Sequence, residues 1–236
     1  MAAPIRFERA PPMSRPQEST VLAANHGATS ALLVGGALAG PLFTAAWIAG
    51  GALTPDYQPM RHLVSTLALG SFDWMQVASF FVAGLLVLGL AIGLRRALRP
   101  PGSAWGSLLI GLAGIGLVGA GAFASDPANG FPVGTPVVPT ESTTNGMLHN
   151  LFAAAFLFSL PVSAFVFTRY FRRVGERGWA IASALTGVAF FAAFSLQRFD
   201  SDPAARFGLY QRIGITTSLL WLTAVAVYAL RARRQG

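Results

Sequence analysis

The sequence predicts an all-α membrane protein whose six transmembrane helices form one bundle. Three observations predict this fold class: a low content of charge, a series of long apolar runs, and a segregation of the arginines. Of the 236 residues, 53% are hydrophobic and 11% are charged. A soluble domain carries about 25% charged residues, so this chain cannot cover an ordinary water-facing surface. The chain also lacks cysteine, which excludes disulfide bonds and thiolate metal sites.

Six apolar runs without acidic or basic side chains follow one another along the chain. Each has about the 17 to 25 residues that a helix needs to cross the hydrocarbon core. In lipid the backbone must satisfy its own hydrogen bonds, and the runs lack the period of two that barrel strands show. We therefore predict transmembrane helices over residues 28–53, 74–94, 103–125, 147–168, 179–197 and 213–230.

The distribution of arginines predicts the orientation. All 17 basic residues are arginines, and 13 of them lie in the two tails and in the connections after the second and fourth runs. The positive-inside rule then places both termini in the cytoplasm (N-in/C-in) of a cell membrane, the inner one where there are two. These arginines form short juxtamembrane clusters without interleaved aromatic residues, so we expect membrane lipids and no nucleic acid as partners.

The two ends of the chain differ from the membrane domain, which we place at residues 28–230. Residues 1–27 contain four prolines and predict a disordered cytoplasmic tail. Residues 231–236 predict a short basic cytoplasmic tail. The first apolar run is longer than the core of a signal peptide, so we expect it to remain as a helix.

A glycine pattern in the third run has two interpretations. Gly114, Gly116 and Gly119 fit the GxGxxG pattern of dinucleotide-binding loops, which requires a preceding strand. Here the pattern lies within a predicted transmembrane helix. We therefore interpret these glycines as a surface on which neighbouring helices pack closely.

Ionisable residues are almost absent from the apolar runs. The exception is His149, which lies at the start of the fourth run. Ion-coupled transporters usually hold ionisable groups near the bilayer midplane, where the translocated charge needs a partner. The sequence therefore argues against a coupled pump.

Most acidic residues lie instead in the first, third and fifth connections, on the predicted outer face, and two of the three histidines, His62 and His149, lie on the same face. We predict a polar cluster there, between the first, third, fourth and sixth helices. Several members precede a proline or a helix, so helix capping and turn formation are the competing interpretation. The candidate residues are His62, Ser65, Asp126, His149, Arg198, Asp200, Asp202 and Arg212.

Short motifs around these residues resemble a known family. They are Asp56-Tyr57 through His62, Ser65, Thr66 and Leu67; Gly121 to Asp126; Gly146 with His149; and Gln211-Arg212-Ile213. Together with six helices, they resemble the prokaryotic membrane family called domain of unknown function 998, over about residues 33 to 230. The resemblance implies a six-helix integral membrane protein and assigns no catalytic residues.

Two classes of function fit these observations. In the first, the protein is not an enzyme and binds a lipid, a small apolar molecule or a partner in a pocket on the outer face. Arg212 or Arg198 would then pair with Asp126 or Asp200, or bind a headgroup, because arginine matches phosphate geometry. The sequence carries no signal for an oligomeric state.

In the second class, the outer face is a metal-dependent hydrolase site that acts on a lipid amide or ester. His62, His149 and Asp126 would hold zinc, Asp200 or Asp202 would be the fourth ligand or the base, and Ser65 would donate a hydrogen bond. This set is similar to the Ser, Asp and His pattern of a ceramidase-like superfamily. Those enzymes have three histidines, whereas His26 lies on the opposite side here.

A third arrangement combines Ser65, His149 and Asp126 as a hydrolytic triad. Ser65 lacks the glycine-flanked turn that presents the nucleophile in such enzymes. This arrangement is therefore the weakest of the three.

Overall fold

The computed structural model describes residues 15–98, 103–137, 141–200 and 202–235. This part of the chain is helical without strands, and it includes two short 3-10 turns, Ser65–Leu69 and Gln197–Phe199. Within these residues, six helices are long and apolar enough to cross a membrane, which confirms the predicted fold class. They are α1 (Arg15–Leu53), α2 (Asp73–Ala97), α3 (Ser103–Ala122), α4 (Thr144–Arg173), α5 (Arg177–Leu196) and α6 (Pro203–Gln235).

The terminal helices extend beyond the predicted spans. Because α1 begins at Arg15, the predicted disordered tail is corrected over residues 15–27, while residues 1–14 lie outside the described part of the chain. Pro16 lies in the first helical turn, where proline is tolerated, and the next ten residues contain neither proline nor glycine. Likewise α6 continues through most of the predicted basic tail, because arginine favours helix.

The six helices form a closed ring. Each helix packs against its neighbours in the chain, and α6 returns to contact α1. Arg233 near the C-terminus donates a hydrogen bond to the His26 carbonyl in α1 at 3.4 Å, so the first and last helices share one end of the bundle. Which side of the membrane this end faces stays a prediction.

The bundle therefore has two distinct ends. The His62 end carries the connections over residues 54–72, 123–143 and 197–202. The arginine-rich end carries the N-terminal part of α1, the C-terminal part of α6, and the connections that follow α2 and α4.

Aromatic and aliphatic side chains fill the interior of the ring. Phe43 of α1 contacts Phe80 of α2 and Phe156 of α4, with ring centroids 5.6 and 6.3 Å apart. Large apolar side chains such as Leu85 and Leu220 are also exposed on the outside. An apolar outer surface of this kind is compatible with the hydrocarbon core of a bilayer.

Glycines allow α3 to pack closely between α2 and α4. A Cβ added at Gly114 would lie 2.9 Å from the carbonyl oxygen of Gly84 in α2. A Cβ at Gly116 would lie 2.5 Å from the backbone nitrogen of Phe156 in α4. The prediction of close helix packing is confirmed, and these glycines belong to a helix rather than to a nucleotide-binding loop.

Candidate functional site

Arg212 lies at the centre of the His62 end. Its side chain is on α6, and the residue is only 8% exposed. Nη1 donates hydrogen bonds to the carbonyl oxygens of His62 at 2.8 Å, of Gly208 at 3.0 Å and of Pro59. Nη2 donates to the Tyr57 hydroxyl. Across the described residues, no carboxylate lies within salt-bridge distance of Arg212.

Aromatic rings cover the guanidinium group. Its central carbon lies 5.0 Å from the ring centroid of Trp47 and 5.6 Å from that of Tyr57. Such cation–π contacts strengthen when water is excluded. The Tyr57 hydroxyl donates to the carbonyl of Leu63 at 2.8 Å. Burial raises the pKa of Tyr57, and the charge of Arg212 opposes this effect.

Backbone hydrogen bonds dock the first connection onto the start of α6. The amide of Gly208 donates to the carbonyl of Arg61 at 3.2 Å, and that of Leu209 donates to the carbonyl of Met60 at 2.9 Å. The amide of Val64 donates to Oε1 of Gln211 at 2.9 Å. A Cβ at Gly208 would overlap the carbonyl oxygen of His62, so glycine permits this approach.

His62 is buried in the same connection. It is 4% exposed, and its Nδ1 accepts a hydrogen bond from the Gln58 amide at 3.0 Å. The imidazole ring packs against Tyr57 and Phe131, with centroids 5.4 and 5.1 Å apart. One ring nitrogen of His62 is therefore occupied by the local backbone.

Charge and burial both favour the neutral form of His62. Burial lowers its pKa, and the positive charges of Arg61 and Arg212 lower it further, whereas a hydrogen bond to the Asn129 backbone opposes them. Arg61 also donates from Nε to the carbonyl of Asn129 at 2.9 Å, and Asn129 donates its side-chain amide to the carbonyl of Arg61 at 3.2 Å. This pair of hydrogen bonds joins the connection 54–72 to the connection 123–143.

Asp126 forms a clasp with the N-terminus of α4. Its Oδ2 accepts from the amide of Thr143 at 3.0 Å, and its Oδ1 accepts from the Thr143 hydroxyl at 2.6 Å. Thr143 in turn caps α4, because its hydroxyl oxygen accepts from the amide of Gly146 at 3.0 Å. A Cβ at Gly146 would overlap Oδ2 of Asp126. Both carboxylate oxygens thus serve the helix start.

His149 lies one turn further along α4 and is 2% exposed. Its Nδ1 lies 2.9 Å from the carbonyl oxygens of Ala120 and Phe123, which are at the end of α3. Its Nε2 is buried and has no hydrogen-bond partner in the described residues. The ring contacts Phe80 at a centroid distance of 6.2 Å.

Asp200 forms a separate group at the start of α6. Its Oδ1 accepts from Nη1 of Arg206 at 2.8 Å and its Oδ2 from the Tyr210 hydroxyl at 2.9 Å. The amide of Asp202 also donates to Oδ1 at 3.0 Å. The hydrogen bond from the Asp202 amide lowers the pKa of Asp200 most, and those from Tyr210 and Arg206 lower it further.

Asp202 acts as a helix cap. Its Oδ1 accepts from the amide of Ala205 at 3.0 Å, in the first turn of α6 after Pro203. This is the helix-end chemistry that the Asp-Pro pair predicts. Arg198 lies in the turn Gln197–Phe199, and its side chain is outside the described part of the chain.

The structure corrects the idea of a single polar cluster. Arg212 binds backbone carbonyls rather than Asp126 or Asp200, because the first connection brings the carbonyl groups of Pro59 and His62 onto α6, where that of Gly208 also lies. Asp126 binds Thr143, and Asp200 binds Arg206. The predicted residues therefore form separate groups, in which most polar atoms are bound by neighbouring backbone or side chains.

The described residues do not assemble the predicted zinc set or the predicted triad. No group of three His, Asp or Glu among them could hold a metal ion, so the zinc set of His62, His149 and Asp126 is not assembled. Ser65 and His149 line one small cavity. Both carboxylate oxygens of Asp126 bind Thr143, however, and Nδ1 of His149 faces α3 carbonyls, so the triad lacks its acid.

Several residues of this network were missing from the predicted site set. Tyr57 and Gln211 belong to the motifs that carried the family resemblance, which was the signal that could have added them. Asn129 precedes a glycine, a common turn signal. Trp47 and Thr143 have no sequence feature that distinguishes them from other span-end residues.

A groove between α2 and α3 lies at the arginine-rich end. It has a volume of about 1210 Å³, and Arg95 and Arg96 lie at its end. Ser107 also lines it; this residue is 2% exposed, and its hydroxyl has no partner in the described part of the chain. The apolar lining includes Leu88, Ile92, Trp105, Leu108, Leu112 and Ile115.

The fold and these two regions define a multi-pass membrane protein with six helices. The chain matches the family model described as protein of unknown function (DUF998) over residues 37–228. The protein therefore belongs to that family, as the motifs of the first connection and of α6 indicated. No curated protein and no solved structure matches the chain.

Proposed function

We propose that the protein is a non-enzymatic membrane component that binds an anionic phospholipid in the groove between α2 and α3. The observation that carries this proposal is the position of two arginines at the end of an apolar groove. Arg95 and Arg96 are exposed, and neither forms an ion pair within the described residues. A lipid phosphate supplies the negative charge that pairs with these two positive side chains.

The length of the groove supports the same occupant. Its lining on α3 runs from residue 104 to residue 115, which is about 16 Å at the helical rise of 1.5 Å per residue. Half of a hydrocarbon core is about 15 Å. An acyl chain of one leaflet therefore matches the groove when its headgroup lies beside Arg95 and Arg96, with the Ser107 hydroxyl close to the same end.

The His62 end is the less suitable place for a lipid. The cavity beside His149 is about 30 Å³, which is the volume of one water molecule in the liquid. Arg212 is buried under aromatic rings and already donates to three carbonyl groups. For this reason we place the lipid at the arginine-rich end and not in the predicted outer pocket.

Native mass spectrometry of the protein released from nanodiscs tests the proposal. The nanodiscs contain equal amounts of phosphatidylglycerol and phosphatidylcholine. We expect a retained phosphatidylglycerol adduct on the wild type and its loss from the double variant Arg95→Gln/Arg96→Gln. Each arginine near a membrane surface contributes about 1 kcal/mol, so the adduct should weaken by about 30-fold.

The matched control is Arg172→Gln/Arg173→Gln, which removes the same charge from the exposed end of α4. This control should keep the adduct. Gly111→Leu should block the groove, because a Cβ at Gly111 meets only Ala91 at 3.6 Å, while Gly178→Leu on α5 should not. Equal loss in both arginine variants, or equal retention of both lipids by the wild type, would overturn the proposal.

A further inference from the structure

A small cavity lies inside the bundle near the His62 end. Its volume is about 30 Å³, and α1, α2, α3, α4 and α6 contribute to its walls, together with the turn Ser65–Leu69. Most of the lining is apolar, including Phe43, Phe80 and Phe156. The polar residues on its wall are Ser65, His149 and Gln211.

The contacts of His149 determine which atom faces this space. Nδ1 lies 2.9 Å from two carbonyl oxygens of α3, and carbonyl oxygens only accept hydrogen bonds. Nδ1 therefore carries the ring proton. In the neutral imidazole the other nitrogen, Nε2, is then an acceptor. Since Nδ1 is turned towards α3, Nε2 is the nitrogen left for the cavity.

This acceptor is unsatisfied within the described residues. His149 is 2% exposed, and Nε2 has no hydrogen-bond partner there. A buried acceptor without a donor is unfavourable, and buried polar groups of proteins are usually paired with protein atoms or ordered water. Oε1 of Gln211 accepts a hydrogen bond from the Val64 amide, so the side-chain nitrogen of Gln211 is not used by that bond.

We infer that this cavity is a binding site for one small neutral hydrogen-bond donor, a water molecule, held by Nε2 of His149. Its volume of about 30 Å³ is above the roughly 10 to 15 Å³ that a cavity needs to hold a water molecule. The Ser65 hydroxyl and the Gln211 amide supply further polar atoms on the same wall. Stable buried water needs two to four such partners. The site is independent of the lipid groove at the other end.

Solid-state NMR of the wild-type protein in bilayers tests the inference without a substitution. With ¹⁵N-labelled histidine, we expect Nδ1 of His149 to be protonated and Nε2 to be unprotonated, with a magnetisation transfer from water to the ring. His26→Gln and His62→Gln assign the His149 signals by elimination. A proton on Nε2, or no transfer from water, would overturn the inference.

A pair of variants on α4 separates bound water from a general effect of packing. Ala153 lines the cavity, whereas its neighbour Ala154 is half-buried and does not. Ala153→Val should fill the space, abolish the water transfer to His149 and shift the Nε2 resonance towards that of a free acceptor. Ala154→Val should leave both signals as in the wild type. Water transfer that persists in Ala153→Val contradicts the assignment of this cavity.

Discussion

Arginine has different roles at the two ends of the bundle. At the His62 end, Arg212 is buried, covered by Trp47 and Tyr57, and bound to the carbonyls of the first connection. At the arginine-rich end, Arg95 and Arg96 are exposed and form no ion pair among the described residues. The first role is internal and fixes a loop, while the second leaves charge available for molecules outside the protein.

This difference shows that charge alone does not identify a binding site in a membrane protein. The His62 end has most of the acids and histidines, yet these acids are already bound. Asp126 binds Thr143, Asp200 binds Arg206, and Asp202 binds the amide of Ala205. The arginine-rich end has an open groove beside two of its cations. Unpaired groups beside open space are therefore the basis on which we propose a binding site.

The largest effect should follow the loss of Arg212. Arg212→Leu removes the donor of three carbonyl groups and of the Tyr57 hydroxyl. Hydrogen bonds to a charged group contribute about 1.5 to 3 kcal/mol each, so we expect a loss of about 3 kcal/mol or more in the free energy of unfolding. Detergent-induced unfolding, followed by circular dichroism, measures this loss.

Two other variants are compared with Arg212→Leu in the same unfolding experiment. Arg212→Lys should recover only part of the stability, because an ammonium group cannot reproduce the planar fork of the guanidinium. Arg95→Gln/Arg96→Gln should leave the unfolding midpoint unchanged, because both side chains are exposed. If Arg212→Leu were as stable as this double variant, the internal role of Arg212 would be refuted.

The fold could be predicted because hydrocarbon imposes simple rules on a chain. The length of the apolar runs and the placement of arginine predicted six helices, and the glycines around Gly114 predicted the close approach of α3. The ends of α1 and α6 were predicted too short. Helix continues there outside the apolar run, where the strong helix propensity of the flanking residues and not hydropathy decides the boundary.

The site was less predictable because its main interactions involve the backbone. The Asp202-Pro203 pair signals a cap in the sequence, and the structure contains this cap. A carbonyl group has no sequence signature, so the carbonyl partners of Arg212 and His149 could not be read from residue types. The expected pairing of Arg212 with Asp126 or Asp200 was wrong, because each of these acids has a partner close to a helix end.

A smaller effect should follow the substitution of Gly146. In Gly146→Ala the new Cβ would overlap Oδ2 of Asp126 and force apart the clasp with Thr143. We expect a loss of about 1 to 2 kcal/mol, the usual cost of a lost helix cap. Gly178→Ala is the matched control, since Gly178 also lies in a first helical turn and has no atom within 4 Å of an added Cβ. The unfolding free energies of the two variants should differ by at least the cost of the cap; equal values would show that the clasp does not stabilise α4.

The smallest effect should appear as a pH dependence of the His62 end. Burial lowers the pKa of His62 in the folded protein, so the unfolded chain binds a proton more readily. Stability from the neutral ring is then complete above the unfolded pKa of about 6.5 and is lost as the pH falls below it. Thermal unfolding measured between pH 5 and 7.5 should therefore show a midpoint that drops on the acidic side of about pH 6.5.

His62→Gln should flatten this slope, because its amide oxygen can still accept from the Gln58 amide but does not titrate. His26→Gln, at the arginine-rich end, replaces an exposed histidine and should keep the wild-type profile. A slope that disappears in His26→Gln and persists in His62→Gln would place the pH-sensitive contact at the wrong end of the bundle.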